Sequence, residues 1–523
     1  MPPPRMADSP IPAPTNPPRR SLRQRLAPPR PKMALLAAAV GALAAMGLAP
    51  FNLWPLALLA LAALVWLLAR ASGRADAIWI GWAAGAGYFA LALHWIVEPF
   101  LVDIARHGWM APFALIFLAG GLALFWGLAA GLAHLLAPRG ALRLVAIVAA
   151  LTLAELLRGY VLTGFPWALI GHVLIASPLL PLAAWVGPDG LTLLALALAA
   201  GLSLLPARPL AAGAPLALVA AGLFLTAPLF APRPPATAAD APILRLMQPN
   251  AAQNEKWDPR MIPVFLDRML AYSAASPVPD VIIWPETAVP AFLETAPGLM
   301  QAIGGQAGGA LSVIGIERRE DGAYYNSLAV IAPDGQIADV YDKHHLVPFG
   351  EYLPLGGLLS RLGLSPLVAR YSGFAAGAGP LLVDLGRAGR ALPLICYEAV
   401  FPRDISAALE RPDLLLQITN DAWFGGFSGP FQHLAQARLR AVEQGLPMVR
   451  VANTGVSAMI AADGRILGSI PLGQTGYLDL PRPNAAAPTL FSRTGSWPVA
   501  LLAGLGLLVA ALQGWRQLRA PGH

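Results

Sequence analysis

Three polar side chains that could support nucleophilic chemistry stand at comparable places in the chain. They are Glu286, Lys343 and Cys396, and each follows a short apolar run that predicts a β-strand. Catalytic groups in α/β folds concentrate at the carboxyl ends of strands, because a rigid sheet holds the loops there. A carboxylate base, a cation and a thiol are the minimum set for covalent acyl transfer.

Each of these residues also has an ordinary structural explanation. A lone cysteine at the end of an apolar strand is more often inert core, and a single lysine near a turn is usually a solvated surface charge. A glutamate that follows Trp-Pro can cap a helix. Because the chain has only one cysteine, an intramolecular disulfide is impossible and a cysteine-based metal cluster is disfavoured. The three residues therefore become informative only in combination.

Longer motifs surround the three residues. The runs are Gln248-Pro249-Asn250, Lys256-Trp257-Asp258-Pro259, Trp284-Pro285-Glu286-Thr287, residues 341–352, Cys396-Tyr397-Glu398, residues 420–425 and Ala452-Asn453-Thr454-Gly455. Together they resemble the signatures of the carbon–nitrogen hydrolase (nitrilase) superfamily and, more narrowly, those of the apolipoprotein N-acyltransferase family, the last enzyme of bacterial lipoprotein maturation. The resemblance runs from the first apolar segment of the chain to the last.

The resemblance implies ping-pong acyl transfer through a thioester. Cys396 would attack an ester of a membrane phospholipid, and the thioester would then acylate the α-amine of the diacylglyceryl-cysteine that begins an apolipoprotein. Glu286 would be the general base. Lys343 would favour the thiolate and, with the backbone N–H of Tyr397, stabilise the oxyanion. No cofactor is expected.

Supporting roles follow from the same resemblance. Glu351 and Glu398 would be carboxylates that orient the lysine and the loop behind the cysteine, whereas the alternative for both is surface solvation. The neighbouring His344 and His345 could suggest a metal, but further ligands at a usable spacing are missing from the sequence. We therefore predict a structural role for this histidine pair and no metal site.

Aromatic residues in the motifs suggest contacts with substrate. The resemblance implies this role for Trp257, Trp423 and Phe424, although such residues are more often core or interfacial anchors. Apolar residues that favour access by a lipid surround the motifs, and they include Phe349, Leu353, Leu355 and the pair at 358–359.

Composition indicates a membrane protein. The 523 residues are 56% hydrophobic and only 12% charged, whereas soluble chains are about 25% charged. The net charge of +7 could suggest nucleic acid, but seven basic residues lie within the first 32 positions, directly before an apolar run. That placement is typical of a disordered cytoplasmic tail beside a membrane, so a nucleic-acid partner is not expected.

Apolar runs predict about eight membrane-spanning helices. They cover residues 33–50, 52–70, 77–97, 111–137, 141–158, 182–205, 209–231 and 497–515, and the intervening segment 159–181 could be interfacial or re-entrant. Basic residues in the short loops fall on one side of the membrane, which assigns both termini to the cytoplasm. The domain at 242–485 would then lie on the periplasmic face of the inner membrane.

Residues 242–485 predict a layered α/β domain. Strands are expected at 243–247, 281–284, 311–316, 327–331, 337–341, 392–396, 414–419 and 448–451, and helices at 259–275 and 431–444. Asp334-Gly335 and Asp463-Gly464 each lie between apolar runs, which is a strong hairpin signal. Buried strands interleaved with helices predict an α/β sandwich. The resemblance implies a nitrilase-like α-β-β-α arrangement of four layers.

Two other functions fit parts of the pattern. A membrane-tethered amidase of the nitrilase type could use the same triad on a small soluble substrate, because water and an amine compete for one thioester. A transporter with an extracytoplasmic binding domain would need polar residues along the spans or helices broken at mid-membrane. The spans are mostly Ala, Leu and Gly, which argues against transport.

Overall fold

The computed structural model describes residues 31–137, 140–354, 356, 361 and 373–519. Apolar helices form a bundle in the first part of the chain. They are α1 (Pro31–Ala45), α2 (Trp54–Ala69), α3 (Arg74–Ala92), α4 (Ala111–Leu136), α5 (Ala141–Arg158), α6 (Ala183–Leu202) and α7 (Pro209–Thr226). The predicted disordered tail at 1–32 lies outside the described residues except for Pro31 and Lys32, which begin α1.

Small residues bring the first helices of the bundle close together. A Cβ atom added at Gly41 of α1 would lie 1.8 Å from the carbonyl oxygen of Ala84, and one added at Gly87 of α3 would lie 2.0 Å from that of Ala38. Helices in lipid gain little hydrophobic free energy from packing together, so they depend on such close backbone contact. Glycine is therefore required where α1 crosses α3.

The helix α3 is followed by a sharp break. Two short helical segments, His94–Val97 and Glu98–Leu101, continue the chain at an angle of 64° to α3. The segment predicted to be interfacial or re-entrant, residues 159–181, contains a 3₁₀ turn at Ile170–Leu174 and is largely buried. Irregular backbone at membrane depth is tolerated where protein surrounds it.

By length and composition, four helical segments of the described chain could cross a membrane, or five if the bent pair at 74–101 is one span. The four are Ile104–Leu136, Leu180–Leu202, Pro209–Phe230 and Trp497–Gln517. Each predicted span contains a helix, but α1 and α2 have only 15 and 16 residues, and α5 carries three charged side chains. Eight crossings therefore remain a prediction.

The extramembrane region contains two β-sheets of six strands each within the described residues. The strands are β1 (Ile243–Gln248), β2 (Val281–Ile283), β3 (Leu311–Glu320), β4 (Ala323–Ile331), β5 (Ile337–Asp342), β6 (Val383–Asp384), β7 (Arg390–Ile395), β8 (Leu414–Thr419), β9 (Met448–Ala452), β10 (Ser457–Ile460), β11 (Ile466–Ile470) and β12 (Gly476–Pro481). One sheet has the order β12-β1-β2-β3-β4-β5 and the other β11-β10-β9-β8-β7-β6.

The two sheets pack face to face, and helices cover their outer faces. Helices of this region are α8 (Ile262–Ser273), α9 (Pro297–Gln306), α10 (Pro402–Ser406), α11 (Gly429–Gln444) and α12 (Leu490–Thr494), and α13 (Trp497–Arg519) returns to pack on α5. Apolar residues of both sheets share one buried core, while α8 and α9 pack on the first sheet and α10 and α11 on the second. The predicted four-layer α-β-β-α sandwich beside an apolar helical bundle is confirmed.

Local predictions agree with the elements observed. All eight predicted strands overlap observed strands, and both Asp-Gly signals occupy hairpins, between β4 and β5 and between β10 and β11. The strands β6, β10, β11 and β12 were not predicted individually. Most of β11 and β12 is partly exposed, so these strands lack the continuous apolar run that marks a buried strand.

We predict that substitution of glycine where α1 contacts α3 destabilises the fold. Gly41→Leu should lower the free energy of unfolding by about 1–3 kcal/mol, because its side chain would collide with the backbone at Ala84. Gly121→Leu in α4 is the matched control, since a Cβ atom there meets nothing within 4 Å. Thermal unfolding of the two variants in detergent measures the difference. Equal melting temperatures for both variants would contradict this packing.

Candidate active site

A cluster of buried charges lies where β2 and β5 end at one edge of the first sheet. The Nζ atom of Lys343 is 2.8 Å from Oε1 of Glu351 and 3.7 Å from Oε1 of Glu286. Asn326, on β4, donates hydrogen bonds from Nδ2 to both carboxylates, at 2.8 and 3.2 Å. The backbone N–H of Asn420, after β8, donates to Oε2 of Glu286 at 2.7 Å. Both sheets therefore hold the Glu286 carboxylate.

Burial makes these contacts necessary. The Lys343 side chain is 1% exposed, and that of Glu286 is 8% exposed. A lone ion at this depth would lose several kcal/mol of hydration, so its charge requires partners. Burial disfavours the ammonium of Lys343, but the carboxylates of Glu351 and Glu286 outweigh burial, and the pKa of Lys343 lies above its usual value. The lysine is a permanent cation.

Cys396 follows β7 in a conformation that non-glycine residues rarely adopt. Its φ angle is +51°, in the left-handed region, and the residue is 6% exposed. Nε2 of Gln417, in β8, donates to the Cys396 carbonyl oxygen at 3.2 Å, and Nε2 of His433, in α11, lies 3.1 Å from the same oxygen. Left-handed backbone in a non-glycine residue persists only where the surroundings hold it. These two side chains provide that support.

The thiol of Cys396 is neutral at rest. Burial raises its pKa well above the usual value, and the nearby Glu286 carboxylate raises it further. Lys343 acts in the predicted direction by lowering the pKa of the thiol, but burial outweighs it. Attack by sulfur therefore requires a base that removes the proton.

The Glu398 carboxylate fixes two loops around the cysteine. It is fully buried and accepts hydrogen bonds from three backbone N–H groups and one hydroxyl, and its Oε1 also lies 2.7 Å from Nδ1 of the His344 ring. The donors are the backbone N–H of Ile395 at 2.7 Å, of His344 at 2.8 Å and of His345 at 3.1 Å, and the hydroxyl of Tyr341 at 3.0 Å. This carboxylate therefore ties the chain before Cys396 to the loop after Lys343. The expected alternative, surface solvation, is wrong for Glu398.

A second buried network lies behind the cysteine and was not predicted. Nδ1 of His433 is 3.0 Å from Oδ1 of Asp421, and Arg450 of β9 bonds both Asp421 and, at 2.6 Å, Oε1 of Gln417. All four side chains are fully buried or nearly so. A signal was present in the sequence, because Gln417 and Arg450 each interrupt an apolar strand, where a polar residue needs a partner.

The predicted substrate-contacting aromatics differ in position. Trp257 and Trp423 are 45% and 40% exposed, and Phe349, one of the apolar residues expected near the site, is 73% exposed. Phe424 instead packs against Trp95 and Trp167 of the bundle, with ring centroids 4.8 and 5.5 Å away. Leu355 and the pair at 358–359 lie outside the described residues. Contacts with substrate remain a prediction for all of these residues.

One glutamine joins the domain to the bundle directly behind the site. Oε1 of Gln432, in α11, accepts from the indole N–H of Trp167 at 2.8 Å and of Trp95 at 3.3 Å, and its Nε2 donates to the carbonyl of Ala92 at 3.0 Å. The next residue, His433, bonds the backbone of the cysteine. The break after α3 is therefore connected to the backbone of Cys396 through two adjacent residues.

The structure thus brings together the residues predicted from separate strand ends: Glu286, Lys343 and Cys396, with Glu351, Tyr397 and Glu398 around them. The hydroxyl of Tyr397 reaches the carbonyl of Gly164 in the bundle at 3.4 Å. Groups of three His, Cys, Asp or Glu side chains that could hold a metal are absent from the described residues. The cluster provides a base, a cation and a thiol in one buried space.

Family models match most of the chain. The model described as the apolipoprotein N-acyltransferase N-terminal domain matches residues 40–201, and the model described as carbon–nitrogen hydrolase matches residues 246–485. The apolipoprotein N-acyltransferase of Bradyrhizobium diazoefficiens is 40% identical over 509 residues, covering 92% of this chain and 94% of that protein. That of Rhodopseudomonas palustris is 38% identical over 519 residues, covering 94% and 96%.

Solved structures similar to part of the chain include two that cover half of it. A carbon–nitrogen hydrolase superfamily protein from Xanthomonas campestris has a TM-score of 0.34 at 21% identity and covers 50% of this chain and 96% of its own. An amidase of the nitrilase superfamily from Nesterenkonia has a TM-score of 0.36 at 17% identity and covers 50% and 98%.

We predict that the loop held by Glu398 weakens at high pH. Burial alone would favour neutral His344, but the carboxylates of Asp404 and Glu398 raise its pKa from 6.5 to about 9. A raised pKa stabilises the fold fully below pH 6.5, and this stabilisation is lost as the pH rises through 9.

The free energy of unfolding should therefore fall by on the order of 1 kcal/mol between pH 6.5 and 9.5, since solvent screens part of the interaction. Denaturation in detergent at several pH values measures this fall. His344→Gln should flatten that part of the profile. A variant that shows the same decline as the native protein would assign the effect to another group.

Proposed function

The chain belongs to the apolipoprotein N-acyltransferase family, and on this premise we propose that Cys396 is its nucleophile, Glu286 its general base and Lys343 its oxyanion-stabilising cation. The protein is a membrane acyltransferase of lipoprotein maturation, and a lipoprotein is its substrate. The observation that carries the residue assignment is a buried cluster in which Nζ of Lys343 lies 3.7 Å from Oε1 of Glu286. The charges of both residues shift the pKa of the Cys396 thiol.

In the first half-reaction a membrane phospholipid donates the acyl group. Glu286 removes the proton from the Cys396 thiol as the sulfur attacks the ester carbonyl, and the lysophospholipid oxygen takes this proton when the ester C–O bond breaks. The raised pKa of the buried thiol supports this order, because the thiol keeps its proton until a base is engaged. Lys343 and the backbone N–H of Tyr397 stabilise the negative oxygen of the tetrahedral intermediate.

In the second half-reaction the thioester is transferred to nitrogen. The α-amine of the N-terminal diacylglyceryl-cysteine attacks the carbonyl carbon, and Glu286 takes the proton that the nitrogen loses. An amide forms, the C–S bond breaks and the Cys396 thiol is regenerated. The products are a triacylated lipoprotein and the free enzyme, so the sequence is ping-pong and needs no external energy source.

The contact between domain and bundle supports lipids as both substrates. Tyr397, directly after the nucleophile, touches the bundle at Gly164, and Phe424 packs on Trp95 and Trp167. Exposed aromatic side chains, among them Phe349, lie on the loops around the cluster. Lipids that diffuse within the bilayer would therefore reach the site without crossing water.

We further propose the domain division and orientation. Residues 33–231 and 497–515 are the membrane bundle, 1–32 a cytoplasmic tail and 242–485 the catalytic domain on the periplasmic face. The charge pattern of the short loops supports this orientation. Hydrolysis of a small soluble amide is not favoured as the function, because the relatives that match over the whole chain are N-acyltransferases.

We predict a covalent acyl intermediate on the only cysteine. Purified protein mixed with labelled phosphatidylethanolamine, phosphatidylglycerol and cardiolipin should gain a hydroxylamine-sensitive acyl mass on the Cys396 peptide. Cys396→Ala should form no adduct, and Glu286→Gln should form it at least about 100-fold more slowly. Mass spectrometry with rapid quenching measures the rate.

The matched control for Glu286→Gln is Glu410→Gln, whose carboxylate is 65% exposed and lies outside the motifs. This control should react at the native rate. Addition of a diacylglyceryl-cysteine peptide should then discharge the adduct. An acyl mass on Cys396→Ala, or release only as free fatty acid, would reject the proposed function.

We predict that the sandwich domain is accessible from outside the inner membrane. In a Cys396→Ala background, Leu409→Cys, at a position 95% exposed, should react with an impermeant maleimide in intact spheroplasts. Arg208→Cys, before α7, should react only after permeabilisation. The reverse labelling pattern would show that the orientation is inverted.

A further inference from the structure

The chain contains three lysines, and two of them are buried in the catalytic domain. Lys32 lies at the start of α1, Lys343 is in the charged cluster, and Lys256 is the third. All other formal positive charge in the chain is arginine. Lys256 is 7% exposed, so its charge is buried, although the proposed reaction assigns no role to it.

The ammonium group of Lys256 bonds the turn that carries the general base. Its Nζ donates to the backbone carbonyl of Glu286 at 3.2 Å and to Oγ1 of Thr287 at 2.6 Å. Its Nζ also lies 5.3 Å from the ring centroid of Trp257, which is half-exposed. A cavity lined by Lys256, Trp257, Glu286 and Thr287 connects these groups.

The turn that contains Glu286 and Thr287 is also constrained by β3, the neighbouring strand. Thr287 has a φ of +45°, which is unfavourable for a β-branched residue. A Cβ atom added at Gly315 of β3 would lie 2.3 Å from the carbonyl oxygen of Pro285 and 2.6 Å from Cα of Glu286. The backbone of this turn therefore packs directly on β3. Lys256 bonds the Glu286 carbonyl and the Thr287 side chain of the same turn. Strain of this kind persists only where the surroundings over-determine it.

We propose that Lys256 is a positioning residue for Glu286: its ammonium group holds the strained Glu286–Thr287 turn and supplies the base with a second nearby positive charge. The proposal rests on the assignment of Glu286 as general base. A small error in the position of a base raises the barrier to proton transfer, so the effect falls on the chemical step and not on lipid binding.

The charge of Lys256 is also titratable near neutral pH. Burial lowers its pKa to about 8, whereas Glu286 and Glu317, the carboxylates that act on it, oppose this fall. Above pH 8 the ammonium loses its proton, the donor capacity at Thr287 decreases and the second positive charge disappears. Thioester formation should therefore decline as the pH rises through about 8.

The first test compares full-length variants in detergent with phosphatidylethanolamine as the probe. Lys256→Met should slow thioester formation on Cys396 by about ten-fold at pH 7 with little change in the lipid concentration for half-maximal rate, and should remove the decline near pH 8. Arg260→Met is the matched control, because its side chain is 87% exposed in the same loop, and it should match the native rate and profile.

The second test asks whether Lys256 acts through the turn. Glycine adopts positive φ without strain, so Thr287→Gly should relieve the need for a clamp. In that background Lys256→Met should cost less than about three-fold, a coupling that a purely structural role elsewhere would not produce. Equal losses in both backgrounds would overturn the proposal.

The third test measures the titration of Lys256 directly. Because the chain has three lysines, trace acetylation with acetic anhydride across pH 6.5–11 and peptide mass spectrometry can follow Lys256 alone. Its titration should centre near pH 8 and move lower in Glu286→Gln, since that carboxylate stabilises the ammonium. A titration near 10.5 that Glu286→Gln does not change would also overturn the proposal.

These outcomes distinguish failure of the proposed function from failure of the positioning role of Lys256. If the native protein forms no acyl adduct on Cys396, the proposed function fails whatever Lys256 does. If the native protein and Lys256→Met form the adduct at the same rate and with the same pH profile, the function stands and the positioning role of Lys256 is rejected.

Discussion

Burial of ionised groups between two sheets is the constraint on which this catalytic domain depends. The Lys343 ammonium and the carboxylates of Glu286 and Glu351 lie almost entirely out of water, and each is neutralised or hydrogen-bonded by the others. Removal of one partner from such a cluster typically costs roughly 3–5 kcal/mol, because a buried charge is left uncompensated. Strand register at this edge must therefore be correct, as the contacts of Asn326 show. Its side chain donates hydrogen bonds to two carboxylates, and its backbone carbonyl accepts a hydrogen bond from the Lys343 N–H at 2.9 Å.

The same constraint extends from the cluster to the membrane bundle. Cys396 keeps its left-handed backbone because Gln417 and His433 contact its carbonyl oxygen, and His433 is oriented by Asp421. The residue before His433 is Gln432, which contacts two tryptophans of the bundle. Since Gln432 and His433 are adjacent in α11, one helix contacts both the bundle and the backbone of Cys396. The domain and the bundle are therefore joined directly behind Cys396.

Much of this arrangement could be predicted, because it follows from local patterns. Continuous apolar runs identified the buried strands, and the ends of those strands identified Glu286, Lys343 and Cys396. Lys256 belongs to one of the motifs, but its contact with Thr287 joins a loop and a strand end that are 31 positions apart. His433 lies on a helix whose apolar periodicity was recognised, yet its partners Cys396, Gln417 and Asp421 all come from other elements. Pairings of this kind have no local signal.

The sequence by itself determined the chemical inventory and its order: one thiol, two motif-borne lysines, the carboxylates at strand ends and a long apolar bundle before them. Residue type and periodicity are properties of the chain, so they can be read without coordinates. Only the tertiary structure decided how deeply each charge is buried and which groups share it. That burial makes the Cys396 thiol neutral although a lysine lies nearby, and makes Glu398 a fully buried acceptor rather than a surface charge. Desolvation depends on every surrounding element at once, so a local pattern does not encode it.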